Sequence, residues 1–137
     1  MEIQSLVLCK ELRKGGEGNS YDSKMIGIHS FFAKDGNYPL RFSIPFYMLL
    51  RREQRYTDET ITIRFNLIDA DGRNAGLPDG LAAKGIFPDG HMFMTLTGTI
   101  EFEFPAIGDY RLDVTADEEK LPSIYHYNIE VTQAPSA

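Results

Sequence analysis

Cysteine is nearly absent from this chain. Cys9 is the only one in 137 residues, so no disulfide can close within the chain. It sits in the apolar run Leu6-Val7-Leu8-Cys9, where it reads as a small hydrophobe. Positive charge is short as well. Fourteen Lys and Arg against twenty Asp and Glu leave a net charge of −6 and a pI near 5.0. A chain of that sign lacks the electrostatic footprint of a phosphate-wrapping protein, so nucleic acid is not an expected partner. No apolar run reaches the length of a membrane span, and the first ten residues, with acidic Glu2, lack the basic and long apolar regions of a signal peptide. The expectation is a cytoplasmic protein with no membrane partner. Internal repeats, a sustained helical stripe and a Gly-x-Ser-x-Gly nucleophile motif are also missing. Gly15-Gly16-Glu17-Gly18 is not followed by the Lys-Ser/Thr of a phosphate loop and reads as a flexible hairpin connection.

What is present is ordinary globular composition, 42% hydrophobic and 25% charged, at the length of one domain. Area scaling at this size buries roughly two-thirds of the surface of the open chain, enough for a core without staples. The charge is uneven: residues 1–68 hold 10 basic and 8 acidic residues (+2), and 69–137 hold 4 and 12 (−8), which sums to −6. A solvated acidic surface is the default reading.

The hydrophobic period is two. Ile61, Ile63, Phe65 and Leu67 alternate with Thr60, Thr62, Arg64 and Asn66; Ile100, Phe102 and Phe104 alternate with Thr99, Glu101 and Glu103. Tyr110, Leu112 and Val114, and then Tyr125, Tyr127, Ile129 and Val131, continue the pattern. Further strands are expected over 3–10, 24–32, 40–50 and 92–96. Pro45 interrupts the third of these and marks an edge or a bulge, because proline cannot donate to a ladder. Asp-Gly and Gly-rich clusters at 15–19, 34–37, 69–72, 78–80, 88–90 and 107–109 separate the runs as turns. Leu81 to Lys84 and Asp117 to Leu121 are short enough for single helical turns. The expectation is an all-β fold: one antiparallel β-sandwich of about seven to nine strands, Ig-like or C2-like, over 1–132, with 133–137 as a tail. If Phe104 faces Tyr110 across the loop Pro105 to Asp109, a hairpin sets Glu103 opposite Arg111 and Glu101 opposite Asp113; the second pair is a like-charge conflict.

The segment from Phe104-Pro105 through Gly108-Asp109-Tyr110-Arg111-Leu112 resembles the penultimate hairpin of Ig-like and related sandwiches, in which a tyrosine opens a strand. Such a tyrosine buries its ring and bonds backbone upstream through its hydroxyl. With Ile63 to Arg73 and Ile44-Pro45-Phe46-Tyr47, the order over most of 3–131 is similar to an uncharacterised family of short, single-domain bacterial β-sandwich proteins. That resemblance implies a fold and a cytoplasmic setting; it carries no catalytic residue.

The expected function is a non-catalytic protein-interaction or adaptor module without a cofactor, its partner another protein or itself as a homodimer. Its surface is an apolar strand edge of Phe31, Tyr47, Leu49 and Phe93, rimmed by Arg51, Arg52 and Arg55, since exposed apolar area needs cover and arginine gives orientation. Two other classes compete. Acidic loops carrying Asp69, Asp71, Asp79 and Asp89 would make a calcium or small-ligand site if one end of the sandwich brought them together, although Asp69-Ala70-Asp71-Gly72 lacks the rest of a calcium loop and reads first as a turn. A hydrolase would need His29, His91 or His126 beside a carboxylate in a concave pocket. No zinc-type pair of ligands is spaced for metal.

Overall fold

A computed structural model describes residues 2–16, 21–25, 27–33, 38–53, 59–75, 77, 82–117 and 123–133. They form ten strands: β1 (Glu2–Leu8), β2 (Glu11–Lys14), β3 (Tyr21–Lys24), β4 (Ser30–Ala33), β5 (Leu40–Arg51), β6 (Glu59–Asp69), β7 (Ala82–Phe87), β8 (Phe93–Phe104), β9 (Gly108–Asp117) and β10 (Ser123–Gln133). No helix among the described residues is long and apolar enough to cross a membrane. The strands make a three-stranded sheet, β1-β5-β8, a five-stranded sheet, β4-β10-β9-β6-β7, and the separate hairpin β2-β3. All pairings are antiparallel except β4 with β10, which is parallel.

The all-β expectation stands, with differences in detail. The strand expected over 24–32 is broken because Met25 and Gly27 adopt left-handed φ angles of 52° and 83°. Lys24 therefore closes β3, and β4 begins only at Ser30. Ala82–Phe87, whose first residues suit a helical turn by length alone, is a strand because β6 offers it a ladder from Arg64 to Glu59. Two of the Asp-Gly clusters turn the chain, Gly72 and Gly90 both sitting at φ 80°, a region open to glycine at no steric cost; those at 34–37 and 78–80 lie outside the described residues. Gln133, expected in the tail, ends β10.

Alternation makes the core. Phe46, Met48 and Leu50 of β5, Ile61 to Leu67 of β6, Ile100 to Phe104 of β8 and Tyr110 to Val114 of β9 bury their apolar faces in one cluster supplied by both large sheets. Rings lock across it: Phe46 meets Phe65 at 5.2 Å, and Phe31 meets Phe104 at 5.1 Å.

The hairpin expected between β8 and β9 does not form. Phe104 pairs with Leu40 of β5 in one sheet, whereas Tyr110 pairs with Asp69 and Ile129 in the other. Pro105 to Ile107 is an arch between sheets. Phe104 and Tyr110 do meet, ring to ring at 5.1 Å, but across the core. Tyr110 is 6% exposed; its hydroxyl donates to the Ala106 carbonyl at 2.7 Å and accepts the Ala106 N–H at 3.3 Å. That is the tyrosine corner the sequence suggests, and it ties strand β9 to the arch. The charges re-sort accordingly. Glu103 pairs with Arg41 at 3.4 Å, Glu101 accepts the Ser43 hydroxyl, and Asp113 takes Arg111 on its own strand, so the like-charge conflict vanishes.

Pro45 lies in the middle strand of a sheet, where proline is unexpected. Its position has a simple cause. The β5–β8 register runs without a shift from Leu40↔Phe104 to Arg51↔Phe93, and Cys9 N–H donates to the Pro45 carbonyl at 3.0 Å. Main-chain groups alternate in direction along a strand, so odd residues of β5 point towards β1 and even ones towards β8. Proline therefore costs the β8 ladder nothing. Cys9 is also the last residue on that side, because β1 pairs only with Phe46 to Arg51. Beyond Pro45, among the described residues, β5 is an edge strand.

Two outcomes follow. Ile44→Pro, whose main chain faces β8, costs roughly 1–3 kcal/mol more than Ile44→Ala in denaturant unfolding, because it leaves a ladder acceptor unpaired; Ser43→Pro stays close to wild type. Equal losses at the two positions would refute the edge assignment. Tyr110→Phe, which keeps the ring and removes the corner bond, lowers unfolding free energy by about 1 kcal/mol.

Candidate functional site

The free half of β5 borders an apolar groove of about 560 Å³, lined chiefly by Met25, Ile28, His29, Phe31, Phe42 and Ile44. Its origin is topological. Chain leaving β1 at Cys9 passes through the β2–β3 hairpin and returns as β4 on the edge of the other sheet, so neither strand covers β5 from Leu40 to Ile44. Burial along one face of β5 records this: Phe46, Met48 and Leu50 are at most 3% exposed, while Phe42 and Ile44 on the same face are half-buried. Phe31 and Phe42 touch at 4.8 Å and form the floor. Met25 and Phe32 stand exposed at the mouth, 67% and 54%.

The wall opposite β5 is pinned. The Leu8 carbonyl accepts N–H groups from Gly27 at 2.7 Å and Ile28 at 3.0 Å, and Tyr127 donates its hydroxyl to the Ile28 carbonyl at 2.5 Å. Burial pushes the Tyr127 phenol above its ordinary value, so it stays a donor at neutral pH. The edge itself carries two sets of main-chain groups, those of Arg41 and Ser43, directed away from β8. Prolines at 39 and 45 bound this window.

The expected contact residues fall in different places. Tyr47, Leu49 and Arg51 share the outer face of the three-stranded sheet, and Phe93 lies directly opposite Arg51 on β8. Tyr21 of the β3 strand covers Tyr47 edge-on at 5.5 Å, and Glu2 pairs with Arg51 at 3.5 Å. Phe31 is a correction: 4% exposed, it faces the core because parallel pairing sets it beside buried Val131, and its neighbour Phe32 points out instead. Arg52 is another. It is 3% exposed; its Nε donates to the His91 carbonyl at 2.7 Å, a terminal nitrogen donates to the Pro88 carbonyl at 2.9 Å, and the guanidinium lies 5.0 Å from the centre of the Phe87 ring. It satisfies turn carbonyls that the β7–β8 connection leaves without ladder partners, so it is no rim residue. Arg55 lies outside the described residues.

Among the described residues the acidic loops do not converge. Asp69 Oδ1 accepts the N–H groups of Asp71 and Arg73, both at 2.9 Å, and so caps the turn after β6. Asp89 follows Phe87, which pairs with Glu59 at the far end of β6, roughly 30 Å from Asp69 at strand rise. Asp79 lies outside the described residues.

Two histidines do meet carboxylates or hydroxyls. Ser30 Oγ donates to Glu130 at 2.6 Å and lies 3.0 Å from His29 Nδ1, beside a polar hollow of about 370 Å³. The single hydroxyl proton goes to Glu130, so the imidazole must donate to Ser30; a ring in that role does not activate a serine. His126 Nδ1 lies 2.6 Å from Asp113 Oδ1, and Arg111 grips the same carboxylate through two bonds at 2.6 and 2.9 Å. Burial pushes the Asp113 carboxyl up, but the Arg111 and His126 bonds and charges outweigh it and hold the group below its ordinary range. Pro45 signals the edge in the sequence, as expected of a residue without an N–H, but not that Arg41 and Ser43 carry its outward main-chain groups.

No family model matches the chain, and no curated protein does. Among solved structures it is similar over 79% of its length to a family 123 glycoside hydrolase from Clostridium perfringens, with 12% identity and a TM-score of 0.39. It spans 24% of that chain, and a likeness of this degree carries no activity across.

A depressed carboxyl contributes stability above its unfolded value and loses it as pH falls through the folded one. Asp113→Asn therefore destabilises by about 1 kcal/mol at neutral pH, and the gap to wild type closes as pH drops below the ordinary carboxylate value near 4. A gap constant from pH 7 to pH 2 in thermal melts would contradict this.

Proposed function

We propose that this chain is a non-catalytic protein-interaction module that receives an extended segment of another polypeptide along the free half of β5. The observation that carries the reading is the juxtaposition of main-chain groups at Arg41 and Ser43, unshared among the described residues, with an apolar groove floored by Phe31 and Phe42. A sheet edge supplies the hydrogen bonds that any extended backbone can meet, and pockets beside it select alternate side chains. An apolar side chain in the groove covers area that is costly to leave in water. Arg41, 75% exposed at its side chain, provides the basic rim.

The finer fold reading belongs with it. The order β1-β5-β8 over β4-β10-β9-β6-β7, with a corner tyrosine where β8 passes to β9, supports an Ig-like sandwich lacking one strand of the smaller sheet. Leu112 stands two residues after the corner tyrosine, where antibody domains place a cysteine. Kinship with the short bacterial β-sandwich family and a cytoplasmic setting are part of the same reading, and the lone Cys9 supports the setting.

A synthetic ten-residue peptide alternating valine and threonine between lysine pairs is the probe. Titrated into isotope-labelled protein, it shifts the amide resonances of Arg41 and Ser43 and slows their hydrogen exchange, and in Ser43→Pro, which has no amide at 43, the Arg41 amide no longer responds. Unchanged Arg41 and Ser43 amides at millimolar peptide would sink the proposal.

A further inference from the structure

Resting on that reading, we infer that the captured segment carries a lysine or arginine at the end nearer Pro45, and that Asp109 and Glu130 receive its charge. The groove has a direction. Phe31 of β4 touches Phe42, while Ile28 is tied to Leu8, whose partner on β5 is Phe46. His29 therefore stands at the Ile44 end of the groove. A segment paired with Arg41 and Ser43 cannot continue along β5 past that end, because Cys9 already donates to the Pro45 carbonyl. It has to leave the edge beside His29. That side chain lines both the apolar groove and the polar hollow of about 370 Å³, so the two concavities share a wall where the segment departs.

The hollow is anionic and uncompensated. Alternation puts Asp109 and Glu130 on the outer face of the five-stranded sheet, directly opposite one another on β9 and β10, where like charges are destabilising. The nearest cation along that face turns away: Arg111, two residues on from Asp109, grips Asp113 through two bonds. Among the described residues the Asp109 side chain has no bonded partner, and that of Glu130 has only the Ser30 hydroxyl. A basic side chain suits both halves of this corner. Its methylene stem lies against the apolar wall while its head reaches the two carboxylates. A bare metal ion is a poorer match, because among the described residues no three ligating side chains converge to hold one. The net charge of −6 draws in a segment of the same sign of charge that the hollow selects.

Two peptides with the same alternating valine-threonine core, one between lysine pairs and one between glutamine pairs, test the inference by titration into isotope-labelled protein at low ionic strength. The lysine peptide binds about five-fold tighter, moves the Asp109 and Glu130 amides as well as those of Arg41 and Ser43, and loses its advantage in strong salt. Asp109→Lys, an exposed change that gives Glu130 a partner within the chain, removes the preference and leaves affinity for the glutamine peptide as it was. Glu53→Lys, the same change of charge beyond the far end of β5, keeps the preference. Equal affinities for the two peptides, or a preference that Asp109→Lys leaves intact or that Glu53→Lys equally abolishes, overturn the inference and leave segment capture standing. If neither peptide touches Arg41 and Ser43, both readings fall.

Discussion

The hydrogen bond from Cys9 N–H to the Pro45 carbonyl is the last rung between β1 and β5, and the arrangement of this flank depends on where that rung falls. Above it β5 is a middle strand, clamped by β1 and β8; below it, among the described residues, β5 holds β8 alone. Proline at that rung is compatible with the sheet because its missing N–H faces the side on which pairing ends. The chain then crosses to the other sheet, where β4 adds in parallel to β10. An edge and a groove result from one change of partner, and the half-buried Phe42 and Ile44 beside it are its consequence.

Opposite in character is the arch at Pro105 to Ile107. There the chain also changes sheet, but Phe104 and Tyr110 fill the space beneath it and the Tyr110 hydroxyl satisfies Ala106. An unfilled crossing on one flank and a sealed one elsewhere explain why the apolar concavity appears beside β4 and β5. Conformational strain sits on the open flank too: Met25, a non-glycine residue at φ 52°, borders the groove with its side chain largely in water.

Much of the architecture is legible in the sequence. Alternating apolar residues in 61–67, 100–104, 110–114 and 125–131 place the interior faces correctly, and the loop before Tyr110 signals the corner tyrosine. Pairing is not legible. A strand that presents Phe102 and Phe104 inward satisfies the same pattern whether β9 lies beside it or across the core, so alternation does not separate a hairpin from an arch. The binding surface is partly legible for a related reason. Tyr47, Leu49, Arg51 and Phe93 do share a face, as period two requires, yet nothing local reveals that Tyr21 covers one of them. Arg52 looks like a rim charge in sequence because its acceptors, carbonyls at Pro88 and His91, lie some forty residues away in the chain. Phe31 and Phe32 are indistinguishable until β10 selects which faces inward.

Residue order by itself determined the class of element, the apolar side of each long strand and the turns at Gly72 and Gly90, because each of these is governed by neighbours two to four residues apart. Only the tertiary structure decided which strands pair, where β1 releases β5 and which face of β4 is buried. These are outcomes of competition between segments that carry the same alternation, and that competition is resolved by how rings and edges fit in space.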